Sequence, residues 1–313
     1  MGADDVQGDP ALSVVVMGYR NRRTILQAVR SVVDQESPVP FEVIVVTSGN
    51  DDSAETVRRT FSAVTVVESS ARLLPGAARN AGVAASTGRV VAFLAADCLA
   101  EPGWVRARLA AHGAGHVAVA CAVTNGERWS PSAWAFHFDL YSHRLPGRHP
   151  GSVAHPDPAS HGLSFDRPVL ERVVPFDEQV RVGEDTDAAR RLAALDVPVW
   201  FEPAVRTAHV GPTGTLGMLL DRYQRGKQVA ALDGVAARPP LRVVLRRWAR
   251  QVGRTVGVSW RDAGPDRWWV VVALPWILAA RAAGLAGWYR GHRPPRSREC
   301  GNVGGRPVGG APS

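Results

Sequence analysis

The chain is predicted to fold as α/β: a mostly parallel, doubly wound sheet with helices on both faces, followed by a C-terminal helical segment. Three observations carry this. Short β-branched runs at Leu12–Met17, Phe41–Val46, Val64–Val67 and Val90–Leu94 alternate with segments of helical spacing, the rhythm of βα units. Polar turns follow the carboxyl ends of these runs, where open α/β sheets place their ligand crevice. A hydrophobic share of 45% over 313 residues suffices for a sizeable core.

In chain order, Leu12–Met17 is a buried strand, and Thr24–Gln35 repeats apolar residues at Ile25, Ala28, Val29 and Val32 with helical period. Phe41–Val46 is the second strand, ending in the turn Thr47-Ser48-Gly49-Asn50-Asp51-Asp52-Ser53, rich in helix-capping groups. A helix over Ala54–Phe61, a strand at Val64–Val67, a helix over Gly76–Ala85 and the strand Val90–Leu94 complete a first half. Beyond Trp104 the rhythm loosens. A helix over Val105–His112 and a strand at Val117–Val123 precede Asn125–Ser160, which carries Trp129, Trp134, Tyr141 and several histidines and reads as a long irregular stretch. Gly183-Glu184-Asp185-Thr186-Asp187 opens a helix to Leu195. Extended segments at Val197–Phe201 and Val205–Val210 follow, and a helical region begins at Gly214. The predicted organisation is a disordered N-terminus (1–10), one domain over 11–226 with halves 11–104 and 105–226, an amphipathic and apolar helical segment (227–290), and a disordered basic Gly/Pro/Arg tail (291–313).

The formal charge of +8 is concentrated between Arg222 and Arg298, and Trp248, Trp260, Trp268, Trp269 and Trp276 lie within that region. Arginine beside tryptophan and aliphatic residues suits an anionic membrane surface. Trp268–Ala280 is nearly all apolar but is interrupted by Pro275 and ended by Arg281, so it falls short of the ~20 residues a spanning helix needs. Helices lying in the membrane interface are the favoured reading, with a buried helical hairpin as the alternative. The three cysteines, Cys98, Cys121 and Cys300, imply neither a disulfide framework nor a metal-ligand spacing. The acidic start MGADDVQGDP has no signal-peptide pattern, and the expected location is the cytoplasm, at the inner face of the plasma membrane. Nucleic-acid binding rests on net charge alone and is not expected.

Four places carry chemistry. Asp97 follows a buried strand, a position that suits a divalent cation gripping a diphosphate, although many such acids only cap a helix. Gly76-Ala77-Ala78-Arg79-Asn80-Ala81-Gly82 starts a helix with small residues that permit close approach, and puts Arg79 and Asn80 on its first turns. Glu184-Asp185 at a helix N-terminus are held ionised by the helix dipole, so that one can act as a general base, or both can simply cap. His209 is a candidate ligand, or a satisfied structural histidine.

Taken together, the chain from Ser13 to about Gly226 resembles a family 2 glycosyltransferase of the GT-A fold. The family's opening strand and Pro-x-Tyr-Asn turn correspond to SVVVMGYRN, which keeps Tyr19 and has Arg20 in place of Asn. Its second strand and Asp-rich nucleotide turn correspond to VIVVTSGNDDS, with Thr47 and Ser48 where acids are usual. GAARNAG matches the family's Ala-Arg-Asn-x-Gly element. The Asp-x-Asp metal motif corresponds to Ala95-Ala96-Asp97, so only the second acid is kept. The Gly-Glu-Asp motif corresponds to GEDTDAARRL, and the downstream Pro…His element to Pro203…His209.

The resemblance implies an inverting transfer from a nucleotide-diphospho-sugar to a hydroxyl acceptor, a cell-envelope or lipid-linked glycan. Asp185 would be the base with Glu184 as its helper. Tyr19, Thr47, Ser48, Gly49, Arg79, Asn80, Ala96 and Asp97 would bind the donor. Asp97 and His209 would hold Mg²⁺ or Mn²⁺, weakly or dispensably because Ala95 replaces the first acid. Arg222-Tyr223-Gln224-Arg225-Gly226 lacks the Gln-x-x-Arg-Trp pattern of processive synthases, which argues for addition of single sugars. The alternative is a catalytically inactive GT-A-fold binding or scaffold protein, to which Thr47, Ser48 and Ala95 point. A nucleotidyltransferase is disfavoured, since MGYRNRRT is not the Gly-rich, basic loop such enzymes place after the first strand.

Overall fold

The computed structural model describes residues 9–153, 162–181, 183–211, 214–232 and 238–292. Its sheet is built on the four apolar runs. These form β1 (Leu12–Tyr19), β2 (Phe41–Ser48), β3 (Thr65–Ser69) and β4 (Val90–Ala95), linked by α1 (Ile25–Val33), α2 (Ser53–Thr60) and α3 (Pro75–Ala84). The four strands are parallel in the order β3-β2-β1-β4, as right-handed βαβ crossovers require. Alternation divides their side chains between two cores. Val14 and Val16 face the core shared with Ile25 and Val29 of α1, whereas Val15, Ile44 and Val46 face the core that contains Ala78 of α3.

The second half departs from simple alternation. It contains β5 (Cys98–Ala100), α4 (Trp104–Gly113), β6 (Ala118–Asn125), α5 (Pro131–Tyr141), β7 (Gly151–Val153), β8 (Ser164–Asp166), α6 (Arg167–Glu171), α7 (Glu184–Ala194) and β9 (Val199–His209). β8 sits antiparallel between β4 and β6, and β5 and β7 pair antiparallel with β9, so the sheet is mixed. Three-residue strands are too short to leave a periodic signal, which is why β5, β7 and β8 are not legible in the sequence. The two extended segments around Pro203 are one strand, β9, whose pairing with β6 shifts register between Cys121 and Ala122.

The stretch 125–160 is corrected: its first part is not a loop. Ser130 caps α5 by accepting from the Ala133 N–H at 3.2 Å, Pro131 occupies the first turn, and Trp134, Phe136 and Phe138 are buried. A helix apolar on most sides has no amphipathic period to detect. The rest of the chain forms α8 (Thr215–Leu232), α9 (Leu241–Asp262), α10 (Trp268–Val272) and α11 (Leu274–Gly291). α8 runs straight through the boundary expected at residue 226.

α11 is a packing helix rather than a surface one. A Cβ on Gly226 would lie 2.0 Å from the Gly284 carbonyl oxygen, and one on Gly287 would lie 2.0 Å from that of Tyr223. The backbones of α8 and α11 therefore touch, as only glycine permits. Ile277 and Ala280 join Trp134, Phe138 and Met218 in a third core. α11 thus packs on the domain as the buried-hairpin alternative expects, while α9 and α10 carry most of the exposed apolar side chains of this segment. No single described helix is long and apolar enough to cross a membrane; Gly264–Val272 and Leu274–Gly291 pass such a test only as a pair bent by 74°. Residues 1–8 of the expected N-terminal disorder and 293–313 of the expected tail lie outside the described residues.

Candidate active site

The sheet register gathers the site. Tyr19 pairs with Ser48, and Met17 with Ala95, so the carboxyl ends of β1, β2 and β4 lie side by side and Asp97 follows on the turn into β5. They border a cleft of about 400 Å³. Its floor is lined by Gly18, Tyr19, Ser48, Ala95, Ala96 and Asp97, one wall by Arg79, Glu184 and Asp185, and the other by Asp221, Gln224, Arg225 and Gln228 of α8.

The wall holding Asp185 is built by a buried ion pair. Glu184 lies 2.5 Å from an Arg79 guanidinium nitrogen, and both side chains are buried. The guanidinium also lies over Phe93 and Phe176, so aromatic faces accompany its carboxylate partner. Gly183, at φ 107°, takes a left-handed conformation that turns the chain into α7. On the first turn of that helix Glu184 then points inward and the half-buried Asp185 faces the cleft, its Oδ1 accepting from the Thr186 N–H at 2.7 Å.

The antiparallel pairing of β5 with β9 sets Cys98 opposite His209, and the Val210 N–H donates to the Asp97 carbonyl at 2.9 Å. His209 Nε2 lies 3.8 Å from Asp97 Oδ2, and Asp97, Cys98 and His209 offer ligand atoms all within 4.8 Å of one another. Burial holds the His209 imidazole below its usual range despite the nearby Asp97 carboxylate, which favours the neutral ring. Burial pushes the Cys98 thiol well up, reinforced by Asp97, toward which it donates at 3.7 Å. It remains a protonated, soft donor. The set that suits a hard cation is therefore Asp97 with His209, and the half-exposed carboxylate leaves room for phosphate oxygens and water. These residues fit Mg²⁺ or Mn²⁺.

Not every predicted donor residue lies in the cleft. Asn80 is not among the cleft-lining residues: its side chain donates to the Phe176 carbonyl at 3.0 Å and accepts from the Phe176 N–H at 2.9 Å, fastening the segment before α7. Thr47 is buried within β2 and does not line the cleft, although its neighbour Ser48 does. Gly49 is left-handed at φ 102° and packs beneath the Tyr19 ring, where a Cβ would meet the ring at 2.6 Å. Glu184 does line the cleft. Its Oε1 pairs with Arg79, so the carboxylate that lines the cleft wall is also half of a buried ion pair. Arg79 does line the cleft, held from behind by Glu184.

Other cleft residues were missed. Arg72 lies 4.5 Å from the Tyr19 ring centroid and Arg181 is on the rim; both come from irregular segments without a pattern. Asp221, Gln224, Arg225 and Gln228 did leave one: their i, i+3, i+4, i+7 spacing is a polar stripe on a helix.

A doubly wound sheet whose strand ends border a cleft with paired acids and arginines defines an α/β ligand-binding fold of the Rossmann-like kind. The comparisons give the family: the model of glycosyl transferase family 2 matches residues 13–173, just over half of the chain, which therefore belongs to that family. The glycosyltransferase AglE of Haloferax volcanii is 31% identical over 103 residues, 31% of this chain and 33% of that one. The succinoglycan biosynthesis protein ExoO of Rhizobium meliloti is 28% identical over 194 residues, 56% of this chain and 53% of that one. The matches thus span between a third and about half of these relatives. Among solved structures, the mannosyltransferase PcManGT of Pyrobaculum calidifontis, bound to GDP-Man and Mn²⁺, superposes with a TM-score of 0.56 at 20% identity over 90% of this chain and 88% of that one. That likeness identifies the GT-A fold.

Proposed function

We propose that this glycosyltransferase moves a sugar from a nucleotide-diphospho-sugar to an acceptor hydroxyl with inversion, and that Asp185 is the general base. The observation that carries this is the position of Asp185. It borders both the cleft at the strand ends and a second cavity, lined by residues of α7, α8, α9 and α11. A carboxylate between two binding spaces can take a proton from a nucleophile entering by one while the leaving group departs into the other.

In this reading the nucleotide lies along Tyr19, Ser48 and Arg72, and the diphosphate faces Arg79 and Asp97. Asp97 and His209 would hold a divalent cation, which when bound supplies charge neutralisation for the departing diphosphate. Arg79, buried against Glu184, gives a fixed positive charge that needs no reorganisation as negative charge develops. Asp185 orients the acceptor hydroxyl and accepts its proton. Fixing both reactants across one carboxylate lowers the entropic part of the barrier. The name of ExoO supports a polysaccharide acceptor, and that of PcManGT a nucleotide-sugar donor.

Peripheral membrane contact belongs to the same reading. α9 exposes Leu241 and Leu245 beside Arg242, Arg246 and Arg250, and α10 exposes Trp268, Val271 and Val272. Apolar side chains flanked by arginines complement the headgroup region of an anionic bilayer.

Calorimetric titration with UDP, GDP and TDP, each with Mn²⁺ and with chelator, tests the donor site. One nucleoside diphosphate is expected to bind, and more tightly with Mn²⁺. Failure of all three to bind would overturn the reading and favour the inactive scaffold, which the loss of an acid at Ala95 in the cleft floor also favours.

A further inference from the structure

The second cavity has a composition that the transfer of a neutral sugar does not require. It measures about 330 Å³ and is lined by Arg144, Arg222, Arg225, Arg247 and Arg281, with Asp185 as its one carboxylate. The arginines come from α8, α9, α11 and the turn after α5, so the fold brings them together rather than a local charge run.

Their partners show how the charge is balanced. Asp139, wholly buried beneath the cavity, is shared by Arg222, at 2.5 Å, and Arg281, so two guanidiniums answer one carboxylate. The Arg281 side chain also donates to Thr255 Oγ1 and to the Asp139 carbonyl, which fixes its plane. Arg225 pairs with Asp221 on the cleft side. Arg247 lies with its guanidinium carbon 4.2 Å from the Trp288 ring centroid, a cation over an aromatic face. Gathering guanidiniums in a partly enclosed space is unfavourable unless an anion joins them. A phosphate monoester, with its double charge and three terminal oxygens, matches several planar forks at once. Apolar Leu140, Val229, Leu285 and Trp288 line the remaining surface, so the cavity suits an amphiphilic molecule.

We propose that this cavity binds the phosphate of a phosphate-bearing acceptor and sets its hydroxyl against Asp185. The inference rests on the reading of Asp185 as the group that faces the acceptor. It specifies the acceptor class: a glycosyl or lipid phosphate rather than a neutral glycan.

Binding of farnesyl phosphate, of glycerol 1-phosphate and of neutral farnesol to the full chain is the test, with UDP and GDP titrated in parallel. Farnesyl phosphate is expected to bind better than farnesol. Arg247→Gln should weaken phosphate binding by about tenfold, the loss of one charge-assisted contact, and leave the nucleoside diphosphate affinity unchanged, because Arg247 does not line the donor cleft. Gln251→Glu, which places a carboxylate in the cavity wall, should weaken phosphate binding at least as much and guards against misfolding of the first variant. Glycerol 1-phosphate binding as tightly as farnesyl phosphate identifies a water-soluble acceptor; preference for farnesyl phosphate identifies a lipid-borne one. Phosphate binding indifferent to both variants, or no stronger than that of farnesol, overturns the inference. If neither nucleotide binds but phosphate binding still depends on Arg247, the phosphate site stands and the transferase reading falls.

Discussion

Glu184 and Asp185 are neighbours in the chain with opposite surroundings, and their substitutions should separate. Asp185→Asn removes a proton acceptor from the cleft and leaves packing intact. Transfer is expected to fall by about 10²-fold or more while nucleotide affinity and stability hold. Glu184→Gln leaves the Arg79 guanidinium buried without its carboxylate, which in comparable pairs costs about 3–5 kcal/mol. Its signature is a lower denaturation midpoint together with lost activity. Equal turnover in Asp185→Asn and wild type would sink the base assignment. The identity of both acids was legible in the sequence because the Gly-Glu-Asp pattern stands at a helix start. The buried ion pair of Glu184 was not, because its partner is Arg79, 105 residues away. The backbone contacts of Asn80 were hidden for a related reason: an amide can serve a ligand or a backbone equally well, and here it brackets Phe176.

At the scale of elements, what could be read depended on period and length. β1, β2 and β4 are mostly buried apolar runs and α1 has a clean apolar stripe, so all four emerged from the sequence. α5 was hidden by burial on most sides, and β8 by its three residues. The C-terminal helices divide by the same logic. α11 is rich in Ala and Gly because its backbone touches α8, a property that composition alone confuses with a membrane segment. α10 is different, since it is only five residues long and presents Trp268 at 67% exposure and Val271 at 55%. Membrane contact should therefore depend on α10 and its flanking arginines. Wild-type protein is expected to co-sediment with vesicles containing anionic lipid, less so at high salt, and hardly with neutral vesicles. Trp268→Ser with Val271→Asp should abolish co-sedimentation without changing the denaturation midpoint, because both side chains face solvent. Unchanged co-sedimentation in that variant would reject the surface.

For the molecule as a whole, the buried histidines make stability depend on pH in a direction that follows from their surroundings. His112 on α4 lies in a closed polar group against β8. Its Nε2 is 2.7 Å from Ser164 Oγ, which accepts from Arg108 at 2.6 Å, and its Nδ1 is 2.8 Å from Asp166 Oδ1. Serine, histidine and aspartate stand in the order of a nucleophilic triad, yet Ser164 is fully buried and borders neither the cleft nor the second cavity, so the group joins helix to sheet. Burial, with Arg108, Arg89 and His116 nearby, lowers the His112 pKa to about 3, and burial beside His209 lowers that of His137 to about 3. In the unfolded chain both titrate near the ordinary value of about 6.5. Their contribution is thus complete above about pH 6.5 and is lost as pH falls from there toward about 3, because the unfolded state takes up protons that the fold refuses. At about pH 5 each histidine withdraws about 2 kcal/mol. Asp166 opposes this only at lower pH, since burial raises its pKa above the ordinary value of 3.8 and the fold then binds its proton more readily. Denaturant midpoints should therefore drop markedly between about pH 7.5 and about pH 5. His112→Gln, though less stable at neutral pH, should show a shallower decline over the same interval, because one of these proton acceptors is gone from the unfolded chain. A wild-type midpoint that stays constant across the interval would mean that the histidines already carry protons in the fold, and that the Asp166 contact is an ion pair rather than a hydrogen bond from a neutral ring.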